Sequence, residues 1–131
     1  MNAPLLNRIL YVEDEESIGR LAKMALHNLG GFAVEVCASP ALALEKFREF
    51  QPDLILLDVM LPGMDGLSFF KLLRENPKTR EIPVIFMTAK IQPQEILSYR
   101  NLGALGVIPK PFYPRTLASE IRTIWERHHA K

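Results

Sequence analysis

Four apolar runs in this chain each end on side chains that can carry a charge or make a hydrogen bond. Arg8-Ile9-Leu10-Tyr11-Val12 is followed by Glu13 and Asp14, and Leu54-Ile55-Leu56-Leu57 by Asp58. Ile82-Pro83-Val84-Ile85-Phe86-Met87 is followed by Thr88, and Leu105-Gly106-Val107-Ile108-Pro109 by Lys110. An apolar run without polar alternation reads as a strand covered on both faces, as in the interior of a parallel sheet. All strands of such a sheet end on one edge, where ligands and chemistry collect. Three carboxylates, a hydroxyl and an ammonium are therefore expected side by side. Two like charges about 4 Å apart repel by about 4 kcal/mol at an effective dielectric of 20, so the carboxylates need cations. Lys110 supplies one, and an all-oxygen donor set suits a hard divalent ion, Mg²⁺ foremost. Cations that neutralise a transferred group while an oxygen attacks in line are the equipment of phosphoryl transfer. Asp58 is the candidate nucleophile, through an aspartyl phosphate.

The elements that must position these groups follow from spacing. Ile18, Leu21, Ala22, Ala25, Leu26 and Leu29 recur at helical intervals until Gly30-Gly31 stops them. Glu15 and Glu16 fall at the start of that helix, where its dipole favours negative charge. Phe32 to Cys37 reads as a short strand, and Ser39-Pro40 supplies a cap and a first-turn proline for a helix carrying Ala41, Leu44 and Phe47. After Asp58, Pro62-Gly63 and Asp65-Gly66 turn the chain into a helix from about Leu67 to Glu75. Gln92 to about Leu102 makes a weak helix, because Ile96, Leu97 and Tyr99 form a poor stripe. Pro114 opens a last helix along Leu117, Ile121, Ile124 and Trp125. Five strand-helix units in alternation specify an α/β fold with a parallel sheet covered on both faces.

Composition bounds the rest. The 131 residues, 48% of them hydrophobic, make one domain. Residues 1–7 read as an N-terminal extension, 8–127 as the domain and 128–131 as a tail. Sixteen Lys and Arg against fifteen Asp and Glu give a net charge of +1, which offers no footprint for direct nucleic-acid binding. The single cysteine, Cys37, excludes an internal disulfide and a multi-cysteine metal cluster. Met1 to Asn7 is too short for a signal peptide and no run approaches membrane-spanning length, so a cytoplasmic protein with no membrane insertion is expected. His128 and His129 read as a solvated pair at a helix end.

Four motifs in order, each after an expected strand, now carry a resemblance: Val12-Glu13-Asp14-Glu15, Asp58-Val59-Met60-Leu61-Pro62-Gly63-Met64-Asp65-Gly66, Met87-Thr88-Ala89-Lys90 and Pro109-Lys110-Pro111-Phe112. From about Arg8 to Arg127 the chain resembles a response-regulator receiver domain of two-component signalling, similar to the bacterial chemotaxis receiver. The resemblance implies a flavodoxin-like (βα)5 sandwich with strand order 2-1-3-4-5. It implies that Asp58 accepts a phosphoryl group, that Asp14 binds Mg²⁺ directly, that Glu13 helps through water and that the Met60 backbone carbonyl is a further ligand. Thr88 would bond a phosphoryl oxygen, Ala89 would keep the entrance open and offer its N–H, and Lys110 would hold another oxygen. The implied donor is a sensor histidine kinase or a histidine phosphotransfer protein, and the implied reader is a downstream protein. Beyond self-phosphorylation from a phosphodonor and slow autodephosphorylation, no enzyme activity is expected.

This chain departs from the family pattern in three places. Glu13 stands where Asp is common, Val107 where an aromatic usually precedes the lysine by three residues, and Leu105-Gly106 where acidic residues are common. Val107 puts the usual coupling from Thr88 to the output surface in question, and Leu105-Gly106 makes that corner an apolar candidate for protein contact. The competing expectations are an unphosphorylated adaptor and a receiver module excised from a longer protein. A phosphohydrolase resembling the haloacid dehalogenase family would need a second Asp two residues after the nucleophile, where Met60 stands.

Overall fold

The computed structural model describes residues 4–130, so residues 1–3 of the extension and Lys131 of the tail lie outside the described residues. Five strands alternate with five helices: β1 (Arg8–Val12), α1 (Glu16–Asn28), β2 (Ala33–Cys37), α2 (Pro40–Phe50), β3 (Leu54–Asp58), α3 (Gly66–Glu75), β4 (Val84–Thr88), α4 (Pro93–Asn101), β5 (Gly106–Pro109) and α5 (Pro114–His129). The sheet is parallel throughout, in the order β2-β1-β3-β4-β5. The alternating pattern and the implied strand order are both met.

Burial explains the unalternated runs. Every residue of β3 and β4 is buried, because each of these strands has a neighbour on both sides and helices on both faces. Residues alternate between the two faces along a strand. Ile9, Tyr11, Leu54, Leu56, Ile85 and Met87 pack under α1 and α5, with Leu26, Leu117, Ile121 and Trp125. Leu10, Val12, Ile55, Leu57, Val84 and Phe86 pack on the other side, with Ala43, Phe69, Phe70, Leu73 and Tyr99. Each aliphatic side chain removed from water in this way contributes about 1.5–3 kcal/mol.

Local chemistry sets the helix boundaries. The Ser39 hydroxyl accepts from the Leu42 N–H (3.2 Å) and Pro40 opens α2. The Asp65 carboxylate accepts from the Ser68 N–H (2.8 Å) and starts α3 at Gly66. In α4 only Tyr99 is buried, which is why its stripe is faint in the sequence; Pro93 and a bond from the Gln92 N–H to Glu95 Oε1 (3.3 Å) define its start. The chain entry is tied down at two points: Asp53 Oδ2 accepts from the Asn7 and Arg8 N–H groups, and the Trp125 indole N–H donates to the Pro4 carbonyl (2.7 Å). At the other end α5 continues through His129. The His129 ring sits 4.4 Å from that of Trp125, and its Nδ1 lies 2.8 Å from the Trp125 carbonyl.

Candidate functional site

The parallel order places the C-terminal tips of β1, β3, β4 and β5 side by side, with β1 next to β3 and β4 next to β5. Register brings Asp58 opposite Met87 and Thr88 opposite Pro109. One carboxylate oxygen from each of Glu13, Asp14 and Asp58 lies within 4.8 Å of the others. Lys110 closes the group, its Nζ donating to Glu13 Oε1 (2.7 Å) and to Asp58 Oδ2 (2.9 Å). The peptide bond from Lys110 to Pro111 is cis.

Each candidate has a definite place. Glu13 and Asp58 are 1% and 3% exposed, whereas Asp14 is exposed to solvent. Asp58 Oδ1 accepts from the Met60 N–H (3.0 Å), which fixes its carboxylate plane over the turn into α3. Thr88 is buried, and its hydroxyl accepts from the Lys90 N–H (3.0 Å), leaving its own hydrogen available for donation. Ala89 is exposed beside it.

One partner was not picked out from the sequence. The Tyr11 hydroxyl donates to Glu13 Oε1 (2.8 Å), and the Glu15 N–H donates to Glu13 Oε2 (3.1 Å). The strand period of two was the available signal, since it puts residue 13, just past the end of β1, on the same side as Tyr11.

Electrostatics separate the two buried carboxyls. Burial pushes the Glu13 carboxyl up, but hydrogen bonds from Lys110, Tyr11 and the Glu15 amide outweigh it and hold Glu13 below its ordinary value. Asp58 goes the other way: burial and the Glu13 charge raise it more than Lys110 and the Met60 amide lower it. Burial alone would depress the Lys110 ammonium; its bonds to Glu13 and Asp58 raise it instead. Burial, then the charge of Glu13, raises the Tyr11 phenol above its ordinary value and keeps it a donor. Glu13 is thus the settled counter-ion of the lysine, and Asp58 is the carboxylate held at a cost.

That cost makes the stability of the fold depend on pH. A folded-state pKa above the unfolded one means that ionised Asp58 destabilises the fold. The penalty is fully present above the folded pKa, shrinks as pH falls through it, and is gone below the unfolded carboxylate value of about 4. Asp58→Asn should therefore be more stable than the native chain at pH 7 by about 1 kcal/mol, or about 4 °C in thermal midpoint. The gap should narrow toward pH 4. A variant with an equal or lower midpoint at pH 7 would contradict this account of the site.

The donor set fits a hard divalent cation. Three carboxylates facing one ammonium leave two negative charges at a strand edge, with oxygen donors alone. Glu13 is buried and accepts three hydrogen bonds over its two oxygens, whereas Asp58 accepts one on each oxygen and Asp14 is open to solvent, so Asp14 and Asp58 are the better direct ligands and Glu13 suits a water-bridged role.

Comparison with known proteins agrees with this geometry. The family model of the response regulator receiver domain matches residues 9–122. The phosphate regulon transcriptional regulatory protein PhoB of Klebsiella pneumoniae is 39% identical over 123 residues, covering 94% of this chain and 53% of that protein. The DNA-binding response regulator MtrA of Mycobacterium leprae is 35% identical over 121 residues, covering 92% and 52%. The chain thus spans about half the length of these curated relatives. Among solved structures, the chemotaxis response regulator CheY4 of Vibrio cholerae superposes with a TM-score of 0.81 at 29% identity, covering 92% of this chain and 99% of that one. A flavodoxin-like sheet with its acids, hydroxyl and lysine at the strand tips, matched over most of its length by that family model, means that this chain belongs to the response regulator receiver domain family.

Proposed function

We propose that this receiver is a phosphorylation switch in which Asp58 takes a phosphoryl group from a histidine kinase or a histidine phosphotransfer protein. The observation that carries this is the bifurcated Lys110 ammonium, held between Glu13 and Asp58 at 2.7 and 2.9 Å. A carboxylate oxygen of Asp58 attacks phosphorus, the bond to the donor's imidazole nitrogen breaks, and that nitrogen keeps the electron pair. Lys110 then turns from Glu13 and Asp58 to an oxygen of the transferred group. Thr88 donates its hydroxyl hydrogen to another, and the exposed Ala89 leaves the approach open. Mg²⁺, held by Asp14, Asp58 and the Met60 carbonyl with Glu13 behind a water, would supply neutralising charge there. The switch works in the cytoplasm, and among the described residues no helix is long and apolar enough to cross a membrane.

The modified surface is read by a partner protein. A net charge of +1 gives this segment no nucleic-acid footprint of its own. The names of PhoB and MtrA, and their greater length, favour a second reading in which the same domain regulates a longer transcription regulator. Phosphoryl acceptance is common to both.

Incubation with a small acyl phosphate and Mg²⁺, followed by intact mass measurement, tests it. One added phosphoryl group per chain is expected, with none in Asp58→Asn and none with a chelator. An unmodified native chain would favour the adaptor reading. Modification of Asp58→Asn would place the acceptor elsewhere.

A further inference from the structure

We propose that Tyr11 is a positioning residue that holds Glu13 in place when Lys110 leaves it for the phosphoryl group, an inference that rests on phosphoryl acceptance at Asp58. In the unmodified protein Glu13 Oε1 accepts from two side chains, the Tyr11 hydroxyl at 2.8 Å and the Lys110 ammonium at 2.7 Å. The lysine has a second engagement, with Asp58 Oδ2 at 2.9 Å. Once Asp58 carries a phosphoryl group, the lysine is drawn to that group's oxygens, and Glu13 Oε1 loses one of its two donors. Glu13 is 1% exposed, so water does not readily replace the lost partner. A buried anion stripped of donors is costly, and the cost would fall on the phosphorylated state alone.

Tyr11 is built to stay. It is 0% exposed, with its ring in the core under α1 and α5. Its backbone lies in a strand paired on both sides, opposite Val36 of β2 and Leu56 of β3. Neither its ring nor its main chain can follow the lysine. Glu13 follows two residues on, just past the end of β1, and the phenol meets its carboxylate at hydrogen-bond distance. Lys110, by contrast, reaches the site as a long flexible arm from the end of β5. One donor is fixed and one moves. The fixed donor lets the moving one change partners without leaving Glu13 to be satisfied by the Glu15 amide alone.

Tyr11→Phe removes the hydroxyl and keeps the ring. The probes are Mg²⁺ alone and Mg²⁺ with beryllium fluoride, which mimics a phosphoryl group on a carboxylate, both measured by titration calorimetry. Affinity for Mg²⁺ alone should stay within about twofold of the native chain, because Lys110 still serves Glu13 there. Beryllium fluoride affinity should fall about tenfold, the effect of one hydrogen bond to a charged group. With Glu13→Gln as background, adding Tyr11→Phe should cost less than about threefold, because no anion is left to hold. Unchanged beryllium fluoride affinity in Tyr11→Phe would overturn the proposal. So would an equal loss with Mg²⁺ alone, which marks a general prop, or a full tenfold loss in the Glu13→Gln background. A native chain that binds no beryllium fluoride removes the phosphoryl reading itself, an outcome distinct from all of these.

Discussion

Lys110→Met is expected to slow phosphoryl acceptance at Asp58 by a factor of about 10² to 10³, the usual consequence of removing one preorganised donor from a developing anionic centre. The native ammonium is within hydrogen-bond distance of the nucleophile, and its side chain is 18% exposed, so solvent cannot replace it at the same position. Methionine keeps the aliphatic reach and drops the charge. Three carboxylates then face one another without their cation, and two of them are buried. Two further effects should accompany the slow reaction. Mg²⁺ should bind several-fold more tightly, because the competing cation is gone. The fold should be weaker at neutral pH, by about 3 kcal/mol if Glu13 and Asp58 both stay ionised.

The sign of the pH response separates this from simple loss of packing. Without the ammonium, each buried carboxyl loses the largest influence that lowers it, and burial pushes both upward from their native positions. Their penalty is complete at neutral pH and fades as they take up protons below it. Thermal midpoints of Lys110→Met and the native chain should therefore converge on acidification toward pH 4. Lys110→Arg should not restore the rate, since a planar guanidinium cannot reproduce a compact ammonium that joins two carboxylates and then swings to a phosphoryl oxygen. Mass spectrometry of timed samples with an acyl phosphate gives the rate. Modification within threefold of native would mean that the lysine is structural only.

The strand tips were legible because a central parallel strand has no polar face. The residue at which its apolar run stops is the residue at its end, and five such ends in one parallel sheet share an edge. Asp58, Thr88 and Lys110 were found in that way, and the order of the strands came from the family resemblance. Tyr11 was not singled out, because a tyrosine inside an apolar run looks like any other core aromatic. Its role appears only once the ring's direction and the Glu13 rotamer are known. The apolar corner at Leu105-Gly106 has an internal use that composition does not reveal: Leu105 packs partly into the core, and Gly106 leaves room for Ile124, whose Cγ2 would be 2.9 Å from an added Cβ. Val107 is similar. It lies opposite Phe86, and Phe86 meets Phe70 and Tyr99 edge to face at 5.2 and 5.3 Å, so the aromatic mass on this side comes from α3, β4 and α4. Those contacts join residues far apart in the chain, and local spacing carries no trace of them.

Gly66→Ala should be among the most damaging single-methyl changes in the molecule, at about 3 kcal/mol or about 10 °C in thermal midpoint. In the sequence Gly66 reads as turn punctuation. Its conformation, however, is not one of the positive-φ glycines, which are Gly31, Gly63 and Gly103. What Gly66 needs is space. Its N–H donates to the Val59 carbonyl (2.9 Å), drawing the first turn of α3 against the end of β3. An added Cβ would collide with the Asp58 carbonyl oxygen and stand 2.8 Å from the Val59 Cα. Both neighbours are backbone at the end of a fully buried strand, so neither can rotate away as a side chain would. Relief must come from moving α3 or the β3 tip, and the tip carries the nucleophile and the Met60 amide that orients it. The variant should consequently lose beryllium fluoride binding along with stability. Gly63→Ala is the control: it pays for positive φ at +82°, with nothing within 4 Å of the new Cβ, and should cost only about 1 kcal/mol. Thermal unfolding and beryllium fluoride titration of the two variants give the comparison. If Gly66→Ala lost no more stability than Gly63→Ala, the close approach of α3 to the Asp58 carbonyl would not be what fixes the site.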